Sequence, residues 1–189
     1  MPLLRDLLLT TAEYTAHGYP CSEPQADVES RAYGAHAFEL SGHRAVFRLA
    51  KTTPTKVGQF VTLWQRTADD GPIRPFDSSD GIGLYVVSVR GEAGFGQFIF
   101  PQRVLIAQGV VSQDFVGGKR AVRVYPPWSR PGSRTARATQ RWQLEHFYSI
   151  PDQTGALKRL LGRPAAPLTA PAERSDYPDC HAGPPLITT

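Results

Sequence analysis

Apolar and polar residues alternate along much of the chain, which is the pattern of β-strands that are covered on one side. Such alternation predicts three strands, at residues 35–40, 44–50 and 58–66. A nearly continuous apolar run then predicts a central strand at 82–89 that is covered on both faces. Residues 95–100 follow a glycine-containing loop and predict its hairpin partner, and residues 119–125 predict one more strand.

Helical spacing of apolar residues predicts helices before, between and after these strands in the chain. Leucines at this spacing predict a helix from Leu3 to about His17. Ser22 is a candidate N-cap for a second helix that runs to about Tyr33. Three further helices are predicted, one that starts at Pro101 and ends before Gly109, one at residues 137–148 and one at 154–161.

The order of these elements predicts an α/β (α+β) fold, with one domain in which helices flank a mixed central sheet. We expect residues 1–162 to form this globular domain, which is long enough to bury roughly two thirds of the surface of the unfolded chain. Residues 163–189 are rich in Pro and Ala and poor in large apolar side chains. This composition predicts a disordered tail.

The N-terminal leucines do not have the pattern of a membrane segment. Arg5 and Asp6 interrupt them, and the cluster is far shorter than the roughly 20 apolar residues that span a bilayer. The segment also lacks the order of regions that marks a signal peptide. We therefore expect a cytoplasmic protein without a membrane partner. Cys21 and Cys180 lie far apart and form neither a disulfide framework nor a zinc-binding spacing.

Positive charge is concentrated in two parts of the chain. The formal net charge is only +4, but residues 40–68 contain five Lys or Arg and no Asp or Glu. Residues 101–144 contain eight Lys or Arg against one acid, Asp114. Such segregation creates a local positive field of the kind that binds phosphate-rich partners. The alternative is a basic face that is only solvated.

The strand at 44–50 contains an arginine on an apolar side. In a strand, residues two apart share a face, so Arg48 lies on the same side as Val46. The basic residues are therefore not simply the solvent-exposed side of a sheet.

Four motifs occur in order along the chain. They are FRxAKxTPxKxGxFVxxWxR at 47–66, GQFxFP at 96–101, GKRxxRVYxPW at 118–128 and TQxWQ at 139–143. Together they resemble the MepB family over about residues 20–148. That family is bacterial and largely uncharacterised. The resemblance implies a fold related to the restriction endonucleases and a function in nucleic-acid binding.

A nuclease of the restriction type would need a particular set of metal ligands. It holds one or two Mg²⁺ ions with an Asp on one strand and a Glu-x-Lys pair on the next. Asp77 and Asp80 precede the 82–89 strand, and Gln97 stands where the pair should begin, but no Lys follows at the required spacing. Glu29 is a further candidate acid. The alternative is that both aspartates only shape their loop.

These four residues are the candidate catalytic residues, but no catalytic motif is complete. Mg²⁺ is expected only if the nuclease alternative holds, and otherwise we expect no cofactor and assign no metal ligand. The histidines are scattered, and no nucleophile elbow or phosphate loop is present.

The remaining candidates are cations with neighbouring hydroxyl and aromatic groups. Arginine donates two parallel hydrogen bonds to a phosphate, and an aromatic ring can stack on an exposed base. Trp128 is the tryptophan that we expect to be exposed, whereas Trp64 and Trp142 are expected in the core. The predicted phosphate-binding residues are Arg48, Lys51, Thr53, Lys56, Arg66, Lys119, Arg120, Arg123, Tyr125 and Trp128.

The sequence therefore predicts a nucleic-acid-binding protein without catalysis, with DNA favoured over RNA as the partner. The alternative is an enzyme, either a metal-dependent nuclease or an enzyme that acts on a small phosphorylated ligand.

Overall fold

A mixed six-stranded sheet forms the centre of the molecule. The computed structural model describes residues 2–26, 34–67 and 71–164. Strands are numbered along the chain, and the central sheet contains, in spatial order, β1 (Gln25–Ala26), β2 (His36–Leu40), β3 (His43–Leu49), β8 (Leu84–Gly91), β9 (Gly94–Pro101) and β11 (Phe147–Ser149). β3 and β8 are parallel, and the other neighbours are antiparallel. The predicted mixed sheet and its central 82–89 strand are confirmed.

A smaller sheet and a two-stranded ribbon lie outside the central sheet. The second sheet contains, in spatial order, β10 (Ala121–Val124), β5 (Lys56–Thr62) and β4 (Lys51–Thr53). The ribbon pairs β6 (Trp64–Arg66) with β7 (Ile73–Pro75). The single strand predicted at 58–66 is therefore two strands, because the chain leaves the second sheet at Leu63 and enters the ribbon.

Helices cover both faces of the central sheet, as predicted. They are α1 (Pro2–Ala16), α2 (Gln102–Ala107), α3 (Arg134–Leu144) and α4 (Ala156–Leu161). α1 and α4 pack on one face, where Tyr14 and Leu157 are buried with Phe47 and Tyr148. The second sheet, α2 and α3 cover the other face around a core that includes Val61, Val87, Phe98, Leu105 and Val124. Among the described residues, no helix combines the length and the apolar character needed to cross a membrane.

The β8–β9 hairpin turns at glycines because an aromatic ring lies against the turn. A Cβ atom at Gly91 would come within 2.9 Å of the Trp128 indole, and one at Gly94 within 3.1 Å. A side chain at Gly91 would force the ring to shift, and one at Gly94 would crowd it. The hairpin and the loop that carries Trp128 are therefore packed together.

Two helix predictions are corrected by the structure. Gln25 and Ala26 are not helical but form β1, which pairs with β2, and the rest of that predicted helix lies outside the described residues. The helix predicted at 137–148 begins earlier, where the Ser133 hydroxyl caps it, and it ends at Leu144. Residues 147–149 instead form β11 on the edge of β9, because strand pairing outweighs the helical spacing of Phe147.

The boundary of the domain stays a prediction. Residues 163 and 164 are the last that the structure describes, so the predicted tail falls almost wholly outside the described residues.

Candidate nucleic-acid interface

The second sheet brings cations from distant parts of the chain into one row. Lys51 lies opposite Phe60 on β5, and Phe60 lies opposite Arg123 on β10. Opposed residues on antiparallel strands share a face, so a lysine, an aromatic ring and an arginine stand side by side. The other face of the sheet, with Val61 and Val124, is buried against the central sheet. No strand of the second sheet contains Asp or Glu.

Further exposed cations lie on β5, in the segment before β10 and on α3. Lys56, Lys119 and Arg120 are exposed, the first on β5 and the others just before β10. Arg134, Arg137 and Arg141 are exposed on α3, which packs beside β10 and contains no acid. We define the basic surface as Lys51, Lys56, Lys119, Arg120, Arg134, Arg137 and Arg141.

The three arginines on α3, which we call the α3 stripe, were not among the predicted binding residues. Its members are spaced i, i+3 and i+7, which places them on one side of a helix. This spacing was visible in the sequence, but its meaning depends on a helix that begins at Arg134 rather than at residue 137.

A cleft lies between β10 and α3, next to the basic surface. Its volume is ≈ 320 Å³. Lys119 and Tyr125 contribute from the β10 side, Thr139 and Trp142 from α3, and Phe100 from the central sheet. The Trp142 ring is half-buried and lies 5.4 Å from the Phe100 ring, centre to centre, as expected for a core-packed tryptophan. The cleft therefore has an aromatic wall, and two cations, Lys119 and Arg123, are among its lining residues.

The glutamines of the TQxWQ motif hold the backbone of this region. Gln143 is buried; its Nε2 donates to the Arg123 carbonyl at 3.0 Å, and its Oε1 accepts from the Tyr125 N–H at 2.9 Å. Gln140 donates to the carbonyls of Pro126 and Ser129 at 3.2 and 2.9 Å. The motif thus joins α3 to β10 and to the loop that follows it.

Arg48 lies inside the molecule, on the face of β3 that it shares with Val46. It is only 2% exposed. Its Nη1 donates to the Phe47 carbonyl at 2.9 Å, and its guanidinium lies 5.6 Å from the centre of the Phe76 ring. Arg48 is therefore not part of the row on the second sheet, and its Nη2 lies 3.5 Å from the Trp64 carbonyl oxygen on the ribbon. It lines a second cleft of ≈ 210 Å³ together with Arg44.

Arg123 and Thr53 hold a turn in place. The Arg123 Nη1 lies 3.1 Å from both the Thr53 Oγ1 and the Gly58 carbonyl oxygen, which are its nearest acceptors. Gly58 has a φ of +81°, and a Cβ there would lie 2.6 Å from the Tyr125 ring. These contacts order the β4–β5 turn, so Arg123 and Tyr125 support the presentation of Lys51 and Lys56.

Trp128 and Arg66 are not part of the row on the second sheet, but Trp128 lines a cleft of ≈ 500 Å³ together with Lys56. Trp128 is half-buried, and its ring meets the Phe147 ring edge-on at 5.9 Å. The expectation that Trp128 is exposed is therefore wrong, because the indole packs on the β8–β9 turn. Arg66 is exposed on the ribbon, where it donates to the Gly71 carbonyl at 2.8 Å and lies 5.8 Å from the Trp64 ring.

Asp77 uses both of its carboxylate oxygens within the fold. It is fully buried. Oδ1 accepts from the backbone N–H and the hydroxyl of Ser79 at 3.0 and 2.7 Å, and Oδ2 accepts from the Ser112 hydroxyl and the Phe115 N–H at 2.7 and 2.8 Å. The Ser79 backbone N–H and the other donors lower the pKa of Asp77 far below its usual value. Asp77 therefore organises two loops as an ionised carboxylate.

Asp80 forms an ion pair with a neighbouring arginine. Its oxygens accept from both terminal nitrogens of Arg74, at 2.6 and 3.0 Å, and from the Asp77 backbone N–H at 2.6 Å. Partial burial opposes ionisation of Asp80, but the hydrogen bonds from Arg74 and Asp77 outweigh it, so the pKa of Asp80 is lowered.

Gln97 lies on the other face of the central sheet, in the core beneath α1. Its Oε1 accepts from the hydroxyls of Tyr14 and Tyr148 at 2.7 and 2.8 Å, and its Nε2 donates to Thr10. Burial raises the pKa of both tyrosines, so they remain neutral donors. The structure therefore does not bring Gln97 together with the loop aspartates.

The described residues do not assemble the metal site of the nuclease alternative. Glu29 lies outside them. Within the described ranges, no group of three or more His, Cys, Asp or Glu side chains is placed to hold a metal ion.

Comparisons with known proteins point to one family. A family model described as MepB-like matches residues 27–149, which is more than half of the chain. The crystal structure of MepB matches with a TM-score of 0.66 at 28% identity, over 76% of this chain and 95% of that one. A bacterial homing endonuclease matches with a TM-score of 0.43 at 15% identity, over 72% of this chain and 85% of that one. No match was found among curated proteins.

Proposed function

The chain belongs to the MepB-like family, and on that premise we propose that it binds nucleic acid through the backbone phosphates, without cleaving it. DNA is the proposed partner ahead of RNA, and the cytoplasm, where both are found, is the proposed place of binding. The observation that carries the proposal is the row formed by Lys51, Phe60 and Arg123 on a sheet without acidic residues.

Several features support an extended anionic partner. The basic surface spans the second sheet and α3, so its cations are spread over more than one element. Phosphates follow one another along a nucleic-acid strand, and each cation that neutralises one releases counterions. Phe60 is half-buried within the row and presents an aromatic ring beside the cations.

The absence of cleavage is supported by the hydrogen bonds of the candidate catalytic residues. The oxygens of Asp77 and Asp80 accept from donors that shape the loop before β8. The Gln97 carbonyl oxygen already accepts from two tyrosines on the opposite side of the sheet. Each side chain thus has a structural role that would be lost if it turned toward a metal ion.

Fluorescence anisotropy with labelled DNA and RNA strands tests this function. The logarithm of the affinity should fall linearly with the logarithm of the salt concentration, between about 50 and 200 mM. The double variant Lys51→Ala/Lys119→Ala should reduce this slope by about 1.5, because two phosphate contacts are removed. The matched control is Arg5→Ala/Lys158→Ala, which removes two exposed charges from α1 and α4 on the other side of the central sheet.

Three results would contradict the proposal. Equal slopes for the double variant and its control would show that the basic surface is not the contact. A shallow salt dependence in the wild-type protein would instead support a small phosphorylated ligand. Fragments that appear with Mg²⁺ and disappear with EDTA would contradict the absence of cleavage.

A further inference from the structure

Part of the outer edge of β10 is open toward the cleft beside α3. β10 is an edge strand, paired on one side with β5. The Leu63 N–H donates to the Arg120 carbonyl. Because alternate residues of a strand point to the same neighbour, Val122 and Val124 are the residues of β10 that bond to β5. The backbone groups of Ala121 and Arg123 therefore point away from β5, toward α3.

Gln143 occupies one position on this edge. Its planar side-chain amide pairs with the carbonyl of Arg123 and the N–H of Tyr125. The same arrangement occurs two residues earlier on β10, where the carbonyl of Ala121 and the N–H of Arg123 both point away from β5. Among the described residues, no hydrogen bond joins these two groups to another residue.

The cleft lies at this open position. Ala121, Val122 and Arg123 line it from β10, and Trp142 and Phe100 form an apolar wall. Its volume of ≈ 320 Å³ is within the range of small-molecule sites, which begin near 300 Å³. A ligand here would meet a carbonyl acceptor and an N–H donor at one edge and an aromatic ring on a wall.

We propose that this cleft receives a single unpaired nucleobase, which forms hydrogen bonds with the Ala121 carbonyl and the Arg123 N–H. Adenine and cytosine each carry an amino donor beside a ring-nitrogen acceptor, which matches this backbone pair. The Gln143 amide already makes a contact of this kind. It is a planar donor and acceptor that binds the Arg123 carbonyl and the Tyr125 N–H on the same strand. Lys119 lines the same cleft and supplies a cation for the phosphate of that nucleotide.

The open edge is too short for an added peptide strand. Gln143 closes it at the Arg123 carbonyl. On the other side, the Lys119 N–H already donates to the Val110 carbonyl at 2.8 Å. Between these points only the N–H and carbonyl of Ala121 and the N–H of Arg123 are open among the described residues, whereas a β-strand pairs over several residues. A compact planar ligand therefore fits this edge better than an extended peptide.

This inference rests on the proposed function and adds base recognition to phosphate binding. The amino group and ring nitrogen on the Watson–Crick edge of adenine or cytosine are engaged in a base pair, so a partner that binds through this edge would be single-stranded or would expose one base from a duplex.

The first experiment compares an oligo(dA) octamer with the same backbone made abasic, at one salt concentration. The wild-type protein should bind the abasic strand about 5- to 100-fold more weakly, because it lacks the base contact. Thr139→Phe should fill the cleft and abolish this difference, whereas Ala138→Phe on the exposed side of α3 should keep it. Thermal unfolding of both variants checks that they fold.

A second experiment uses adenosine alone, which has no phosphate. In ¹H–¹⁵N NMR spectra of the wild-type protein, adenosine should shift the amide signal of Arg123. If the two strands bind equally and adenosine shifts nothing, the base site is wrong, while a steep salt slope would still support the proposed function. If neither strand binds but adenosine shifts Arg123, the cleft binds a base and the proposed function is wrong. If a short extended peptide protects the Arg123 amide from hydrogen exchange and adenosine does not, the edge binds a protein and the inference is overturned.

Discussion

The two faces of the central sheet use polar side chains in opposite ways. Beneath α1, Gln97 is buried and its amide is saturated by Thr10, Tyr14 and Tyr148. On the second sheet, across the other face, Lys51 and Lys56 are exposed. The polar residues on the first side hold the fold, whereas those on the second are exposed and are the ones that we propose to contact nucleic acid. The sequence alone presents both kinds as candidates for function, and burial with hydrogen bonding separates them.

The largest expected effect concerns the buried network. Gln97→Leu should lower the free energy of unfolding by about 3 kcal/mol, because the buried hydroxyls of Tyr14 and Tyr148 lose their acceptor. Urea unfolding measures this loss. The exposed Gln113→Leu is the matched control, with an expected change within about 0.5 kcal/mol. If Gln97→Leu keeps full stability but abolishes DNA binding, the separation between the two faces is wrong.

The next effect concerns stability at acid pH. The folded-state pKa of Asp77 is lowered, so its contribution is fully present above the ordinary pKa of about 3.8 and is lost as the pH falls through the lower folded value. Asp77→Asn should therefore lower the thermal midpoint at pH 7 and weaken its fall below about pH 4.

Asp114→Asn makes the same change at an exposed aspartate and is the control for this pH dependence. Circular dichroism melts from pH 7 to pH 2 provide the comparison. Parallel curves for wild type and Asp77→Asn would show that the Asp77 carboxylate does not carry this pH dependence.

A smaller effect distinguishes two cations of the same row. Arg123→Ala should reduce the free energy of unfolding by about 1 kcal/mol, because Thr53 and the Gly58 carbonyl lose a charged donor. Lys51→Ala should change it by less than about 0.5 kcal/mol and weaken DNA binding instead. Urea unfolding and anisotropy on the same preparations measure both. A stability loss of equal size in the two variants would remove the distinction.

The smallest effect concerns the α3 stripe. Arg134→Gln/Arg141→Gln should weaken DNA binding about two- to fivefold at low salt, since exposed charge contacts are individually weak. Arg5→Gln/Lys158→Gln carries the same change in net charge away from the basic surface and should bind like wild type. Equal weakening in both pairs would indicate a general effect of net charge.

Local patterns predict the parts of the fold that form between neighbouring segments. The apolar run at 82–89 and its partner at 95–100 are confirmed as the β8–β9 hairpin. Alternation also placed Arg48 on the same face as Val46, but it did not predict that Arg48 is buried. Phe147 shows why other predictions fail. It continues the helical spacing of α3, but pairing with Phe98 on β9 is a long-range interaction that spacing does not reveal.

Only part of the candidate site can likewise be predicted from neighbouring residues, and the rest depends on contacts between distant segments. Charge counts indicated the basic segments, yet the row of Lys51, Phe60 and Arg123 requires the register between β4, β5 and β10. The packing of Trp128 on the β8–β9 turn likewise depends on segments that are far apart in the chain. Whether a polar residue is exposed follows from this packing.

The order of the strands also has a consequence for folding. β8 and β9 adjoin in the chain and close a short loop, whereas the parallel pairing of β3 with β8 must enclose residues 50–83. β10 must then reach β5 across the whole hairpin, and such long closures come late. We expect the second sheet to complete after the hairpin, so a chain still emerging from the ribosome carries its cations dispersed. The proposed affinity for nucleic acid would then appear only when folding is finished.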